Sequence, residues 1–99
     1  MEKVLLETAG QEAAWHDFAA VFIFIGTLPN TEFLRGVVDL DQRGYILAGA
    51  DLSTSVPGIY AAGDVIQKQL RQVSTAVGDG AIAAMSSVKY IQETFPEMA

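Results

Sequence analysis

Residues 19–26, AAVFIFIG, carry apolar side chains at every position before the closing glycine. A strand with one face in water alternates between apolar and polar residues. A run without alternation demands cover above and below, as in the middle of a parallel sheet. The β-branched and aromatic content of this run and its short length favour strand over helix. A chain of 99 residues must therefore find neighbours for it on both sides, and only one other segment has the same character. That segment is IYAAG at 59–63, which climbs out of the Pro57-Gly58 turn and stops on Gly63 and Asp64.

The rest of the chain reads as connections around these two strands. KVLLET near the start is a strand, AGQ a turn, and EAAWHDF a returning strand. TLPNTEFLRG is a loop with at most one helical turn, because Pro29 and Asn30 favour turns. VVDLDQRGYILAG is a hairpin around 41–44; DLSTSVPG is a loop and VIQKQLR a connection. From about Gln72 the period changes. Val73, Val77, Ala81, Ala84, Val88, Ile91 and Phe95 recur every three or four residues, the stripe of an amphipathic helix, and Pro96 ends it. Gly78 and Gly80 lie inside that helix and each costs about 1 kcal/mol relative to alanine. This cost leads one to expect close packing against another backbone. The expected fold is α/β and incomplete, with β-hairpins and one long C-terminal helix.

Bulk properties narrow the function. The formal charge of −6 argues against nucleic acid and anionic membranes as partners. The apolar run at 18–25 falls far short of the roughly 20 residues that span a bilayer, and the glutamates of MEKVLLETAG do not fit a signal peptide. The chain has no cysteine, hence no disulfide, zinc thiolate site or redox dithiol of its own. A soluble, cytoplasmic protein is the expectation from these absences.

Few residues offer chemistry. GDGAIA at 78–83 matches the dinucleotide fingerprint G-x-G-x-x-G/A, but no second strand with a terminal acid follows it. Small residues within a helix are the simpler reading. Gly63-Asp64 is different. Ligands of open parallel sheets sit beyond the carboxyl ends of the strands. There a glycine permits close approach to the backbone, and an aspartate accepts hydrogen bonds from sugar-like hydroxyls. The competing reading is a turn aspartate that caps a loop. Arg71 and Gln72 open the helix, whose free N–H groups and partial positive charge stabilise negative charge on a ligand; an exposed arginine on an ordinary first turn is the alternative. His16 lacks a partner for catalysis, Trp15 and Tyr45 read as packing residues, and the acidic residues from Glu2 to Asp39 have no metal-ligand spacing.

In order, FIFIGTLPNTEFLRG, LDQRGYI, TSVPGIYAAGDV and KQLRQVSTAVGDGAIAAMSSVKYI resemble the C-terminal part of bacterial-type thioredoxin reductases, within the pyridine nucleotide-disulfide oxidoreductases. The resemblance runs from about Ala19 to Ile91. It is closer than that to ferredoxin-type reductases, and peroxiredoxin-reducing relatives are the nearest competitor. It implies that residues 1–26 are the closing β-meander of an NADPH-binding domain and residues 27–99 the C-terminal half of a Rossmann-like FAD-binding domain, with the crossing between Gly26 and Thr27. It implies that Asp64 accepts hydrogen bonds from the FAD ribityl chain beside the Gly63 backbone. It also implies that Gln72 and Val73 turn their main chain, and Arg71 its charge, toward the pyrimidine edge of the flavin. The family's N-terminal FAD fingerprint, redox dithiol and NADPH glycine loop are absent from these residues. The resemblance thus implies a piece of an enzyme that passes electrons from NADPH through FAD to a disulfide of a thioredoxin-like substrate, inactive alone, lacking an N-terminal FAD/NADPH half and associating as a dimer or other homo-oligomer. The alternative is an independent small binding or assembly domain that keeps the fold without redox activity.

Overall fold

Short strands form where the chain can pair with itself. In the computed structural model, which describes residues 2–98, β1 (Lys3–Leu6) and β2 (Ala14–Asp17) make an antiparallel hairpin with Lys3 opposite Asp17 and Leu6 opposite Ala14. The connection turns at Gly10, φ 80°, after the Gln11 N–H bonds the Thr8 carbonyl at 3.0 Å. Both strands are shorter than their apolar patterns suggested. Trp15, expected to pack, is exposed on this hairpin. The hairpin packs against no other helix or strand among the described residues.

The two central strands expected at 19–26 and 59–63 do not form. Residues 19–26 belong to no sheet, and Phe24 and Ile25 are 89% and 92% exposed. A strand is a relation between segments, and no described segment offers this one a hydrogen-bonding edge. IYAAG reduces to a single antiparallel bridge, Ser53 with Tyr60, followed by the Ala61 N–H on the Leu52 carbonyl at 3.0 Å.

Between them lies the body of the molecule, built from loops. A 3-10 turn at Glu32–Leu34 leads into the expected hairpin at 41–44, reduced to one bridge between Leu40 and Ile46. Its turn is well specified. The Asp41 carboxylate accepts the N–H groups of Arg43 and Tyr45, each at 2.9 Å, and Gly44 supplies the left-handed φ of 90° that side chains resist. Ile46 also bridges Ile66 in parallel sense. Val38, Ile46, Leu52, Ala61 and Ile66 form the core, with Leu34, Leu40, Val56, Val65 and Ala83 packed on it. Leu52 sits at φ 64°, a region costing roughly 1–2 kcal/mol for a residue with a side chain. Its buried side chain and its backbone bonds to Gly49 and Ala61 hold it there.

A single long helix, α1 (Val73–Thr94), starts and stops where the sequence indicated, with Gln72 as N-cap and Pro96 just past its end. Its inward face differs from the expected one. The apolar stripe of Val73, Val77, Val88, Ile91 and Phe95 faces water. The helix meets the body through Ala76, Asp79, Ala83, Ser86 and Tyr90. Ala76 approaches Gly63, Asp79 bonds its N–H, Ala83 joins the core, the Ser86 carbonyl accepts from the Tyr60 hydroxyl at 3.3 Å, and the Tyr90 ring lies on Gly58. Gly78 and Gly80, expected to mark a close backbone contact, have open space where a Cβ would stand. The radius of gyration is 20.5 Å, against about 13 Å for a compact domain of this length, so the chain does not close a globule around these faces.

The core is small enough for one residue to matter. Ile46→Ala is expected to destabilise the chain by about 2–4 kcal/mol, whereas Phe24→Ser, in the exposed run, stays within about 0.5 kcal/mol. Urea unfolding followed by circular dichroism distinguishes the two.

Candidate cofactor site

The turn after residue 62 is set by backbone conformation. Gly63 is buried at φ 86°. A Cβ built there would meet only the Ala76 methyl at 3.6 Å, an ordinary contact, so conformation rather than space requires glycine. The Gly63 N–H donates to Asp79 Oδ2 at 3.1 Å, and the Lys68 ammonium donates to the same oxygen at 2.5 Å. This part-buried pair joins the turn, the connection and α1 at one atom. The hydrogen bond from Lys68, and then that from Gly63, hold the Asp79 carboxyl below the usual carboxylate range against the opposing effect of burial.

Arg71 closes the turn from the other side. Its Nε donates to the Asp64 carbonyl at 3.0 Å and its Nη2 to the Ile66 carbonyl at 3.1 Å, while its guanidinium carbon lies 3.9 Å from the Tyr45 ring centre. Asp64 is thus gripped by its backbone, and among the described residues its exposed carboxylate has no hydrogen-bond partner. Next comes the helix start. The Gln72 N–H donates to Thr75 Oγ1 at 3.1 Å, and that hydroxyl donates to the Gln72 carbonyl at 2.9 Å. The N–H groups of the first turn have no carbonyl of the preceding turn to bond.

Of the five residues singled out from the sequence, Gly63, Asp64 and Arg71 form one hydrogen-bonded unit, and Gln72 and Val73 stand beside it, exposed at the helix start. Asp64 and Arg71 line a cleft of about 470 Å³ with Thr27, Leu28, Pro29, Asn30, Tyr45 and Val65. Gly63, Gln72 and Val73 lie outside that lining. The GDGAIA stretch is helical and forms no loop. Sequence reading overlooked Lys68 and Asp79, and took Tyr45 for packing alone. One signal for Asp79 was present: it stands three residues after Ala76 and four before Ala83, in phase with the small face of α1 and out of phase with the apolar stripe. Chemically, the arrangement offers a carboxylate acceptor, a guanidinium and a helix N-terminus along one edge, suited to a ligand with hydroxyls at one place and negative charge at another. Among the described residues no cluster of His, Asp or Glu has the geometry of a metal site.

Because its carboxyl is more acidic in the folded chain than in the unfolded one, Asp79 contributes stability above the ordinary carboxylate value of about 3.9, and that contribution fades as pH falls through its lowered folded value. Asp79→Asn is expected to lower the urea midpoint at pH 7 and to flatten the acid limb of stability against pH. An unchanged acid limb in the variant assigns that limb to other carboxylates.

Comparison with known proteins bears on the family of the chain. The chain is 46% identical over 77 residues to the thioredoxin reductase of Peptoclostridium acidaminophilum, covering 78% of this chain and 24% of that protein. It is 46% identical over 82 residues to that of Chlamydia pneumoniae, covering 82% and 26%. Among solved structures, the thioredoxin reductase from Streptococcus pyogenes MGAS5005 superposes with a TM-score of 0.75 at 41% identity, over 93% of this chain and 30% of that one. The Lactococcus lactis enzyme gives 0.74 at 38% identity, over 93% and 31%. The chain therefore spans about a quarter of the length of the curated relatives it matches. Residues 2–80 match the family described as pyridine nucleotide-disulphide oxidoreductase, and with four-fifths of its length matched the chain belongs to that family.

Proposed function

We propose that this chain completes the FAD-binding domain of a thioredoxin-reductase-like flavoprotein, which carries electrons from NADPH through FAD to a disulfide of a thioredoxin-like protein. The observation that carries this reading is the unpartnered Asp64 carboxylate, backbone-clamped beside the N-terminus of α1, within residues that match the family. The donor set fits the cofactor. Asp64 accepts from ribityl hydroxyls, the left-handed Gly63 turn lets the cofactor approach the backbone, and Arg71 with the main chain of Gln72 and Val73 places positive potential where the flavin gains negative charge on reduction. Bound FAD would supply the electron chemistry; these residues bind and orient it.

The division at Gly26 and Thr27 is part of the proposal. Residues 1–26 belong to the NADPH-binding domain and 27–99 to the FAD-binding domain. The isolation of the β1–β2 hairpin from the other elements supports it, as does the left-handed Gly26 at φ 126°. The exposed run at 21–25 and the outward stripe of α1 are the surfaces that the remainder of such an enzyme, or another copy in a homo-oligomer, would cover. Without a cysteine the chain supplies no redox dithiol, so it is inactive alone. A cytoplasmic location goes with this reading. Among the described residues no helix is long and apolar enough to cross a membrane.

Reconstitution tests the proposal. The 99-residue chain alone is expected to give no NADPH-dependent disulfide reduction. Joined to the complementary N-terminal portion of a relative, it should retain FAD, and Asp64→Ala should weaken that retention. A hydrogen bond to a charged group contributes about 1.5–3 kcal/mol, roughly ten- to a hundredfold in affinity. Equal flavin affinity in the variant, measured by ultrafiltration and absorbance, would make Asp64 a turn residue only.

A further inference from the structure

We propose that Tyr45 is a positioning residue for Arg71, holding the guanidinium in one plane so that its free N–H groups meet the flavin edge. This rests on the flavin reading above and adds a residue to it. Tyr45 is 2% exposed and fixed at both ends. Its N–H donates to the Asp41 carboxylate at 2.9 Å, and its hydroxyl lies 2.8 Å from Thr27 Oγ1. The ring is therefore a rigid floor. Arg71 lies on it with the guanidinium carbon 3.9 Å from the ring centre, closer than Arg43 at 5.5 Å. A cation over a tyrosine face is attracted by the ring quadrupole, more strongly where water is excluded.

Stacking and hydrogen bonding constrain different motions. The ring opposes tilting of the guanidinium plane. The bonds from Nε to Asp64 and from Nη2 to Ile66 oppose rotation within it. A guanidinium has five N–H donors, and these bonds engage two. The other three have no partner among the described residues, and Arg71, Tyr45 and Asp64 line the same cleft. A planar donor held in this way is pre-organised for a planar anionic acceptor. An ammonium could not replace it, because it has neither the fork nor the stacking face. Thr27 directly follows the proposed domain crossing, so one side chain ties the crossing to the flavin-facing charge.

The first test needs no cofactor. In the 99-residue chain the Arg71 Nε–Hε resonance, assigned by its loss in Arg71→Lys, should be shifted upfield by the ring current. Tyr45→Phe, which keeps the ring, should preserve the shift. Tyr45→Leu should abolish it and raise the Hε exchange rate at least tenfold. An unshifted resonance in the wild type, or one unaffected by Tyr45→Leu, overturns the proposal. The second test uses the reconstituted flavoprotein. Tyr45→Leu should weaken binding of reduced relative to oxidised FAD roughly tenfold, lowering the two-electron potential by about 30 mV, with Tyr45→Phe close to wild type. Should Tyr45→Leu fail to fold, Arg71→Lys is expected to give the same drop, and an unchanged potential there overturns the role. A reconstituted wild type that binds no FAD overturns the flavin reading, and the resonance measurement still decides whether Tyr45 holds Arg71.

Discussion

The described structure turns on a single oxygen atom. Asp79 Oδ2 receives the N–H of Gly63 and the ammonium of Lys68, so one carboxylate on the helix fixes both the turn that presents Asp64 and the connection leading into α1. Charge-assisted bonds in a part-buried place are stronger than neutral ones. Losing the acceptor would leave a backbone donor and a cation without partners in a region of reduced water access, which costs more than the pair contributes when intact. Such pairs are better at specifying an arrangement than at deepening stability. Here the arrangement is the registration of a helix N-terminus against a ligand-sized cleft. No described residue accounts for the glycines on either side of Asp79.

Local signals in the sequence were reliable, and relational ones were not. Asp41 and Gly44 announced their turn, Gln72 and Pro96 the limits of the helix, because capping and turn formation involve only neighbours in sequence. The strand expected at 19–26 had the right composition, but strand formation needs a partner edge. The face of α1 failed for a related reason. Reading the apolar stripe as the buried side assumes that the chain contains the core it packs against, and here the body offers the helix a surface suited to alanine and serine.

The candidate site divides in the same way. Gly63, Asp64 and Arg71 were legible because a turn and a helix start are each visible in a few consecutive residues, although the strand expected before Gly63 does not form. Their supports were hidden. Lys68 reaches Asp79 across eleven positions, Gly63 across sixteen, and Tyr45 lies far upstream of the arginine it carries. Each pairing joins segments distant in sequence, and no periodicity encodes that. The geometry shows how the visible residues are clamped.

The small inner face of α1 also governs how this chain tolerates change. Substitutions usually do most harm where residues are most hydrophobic. In this helix the order is inverted. Val73, Val77 and Ile91 have room around them, while Ala76 and Ala83 sit against Gly63 and the core. Enlarging Ala76 crowds the Gly63 turn, and enlarging Ala83 crowds the core. Within the isolated chain, hydrophobicity is therefore an inverse guide to mutational sensitivity along this helix.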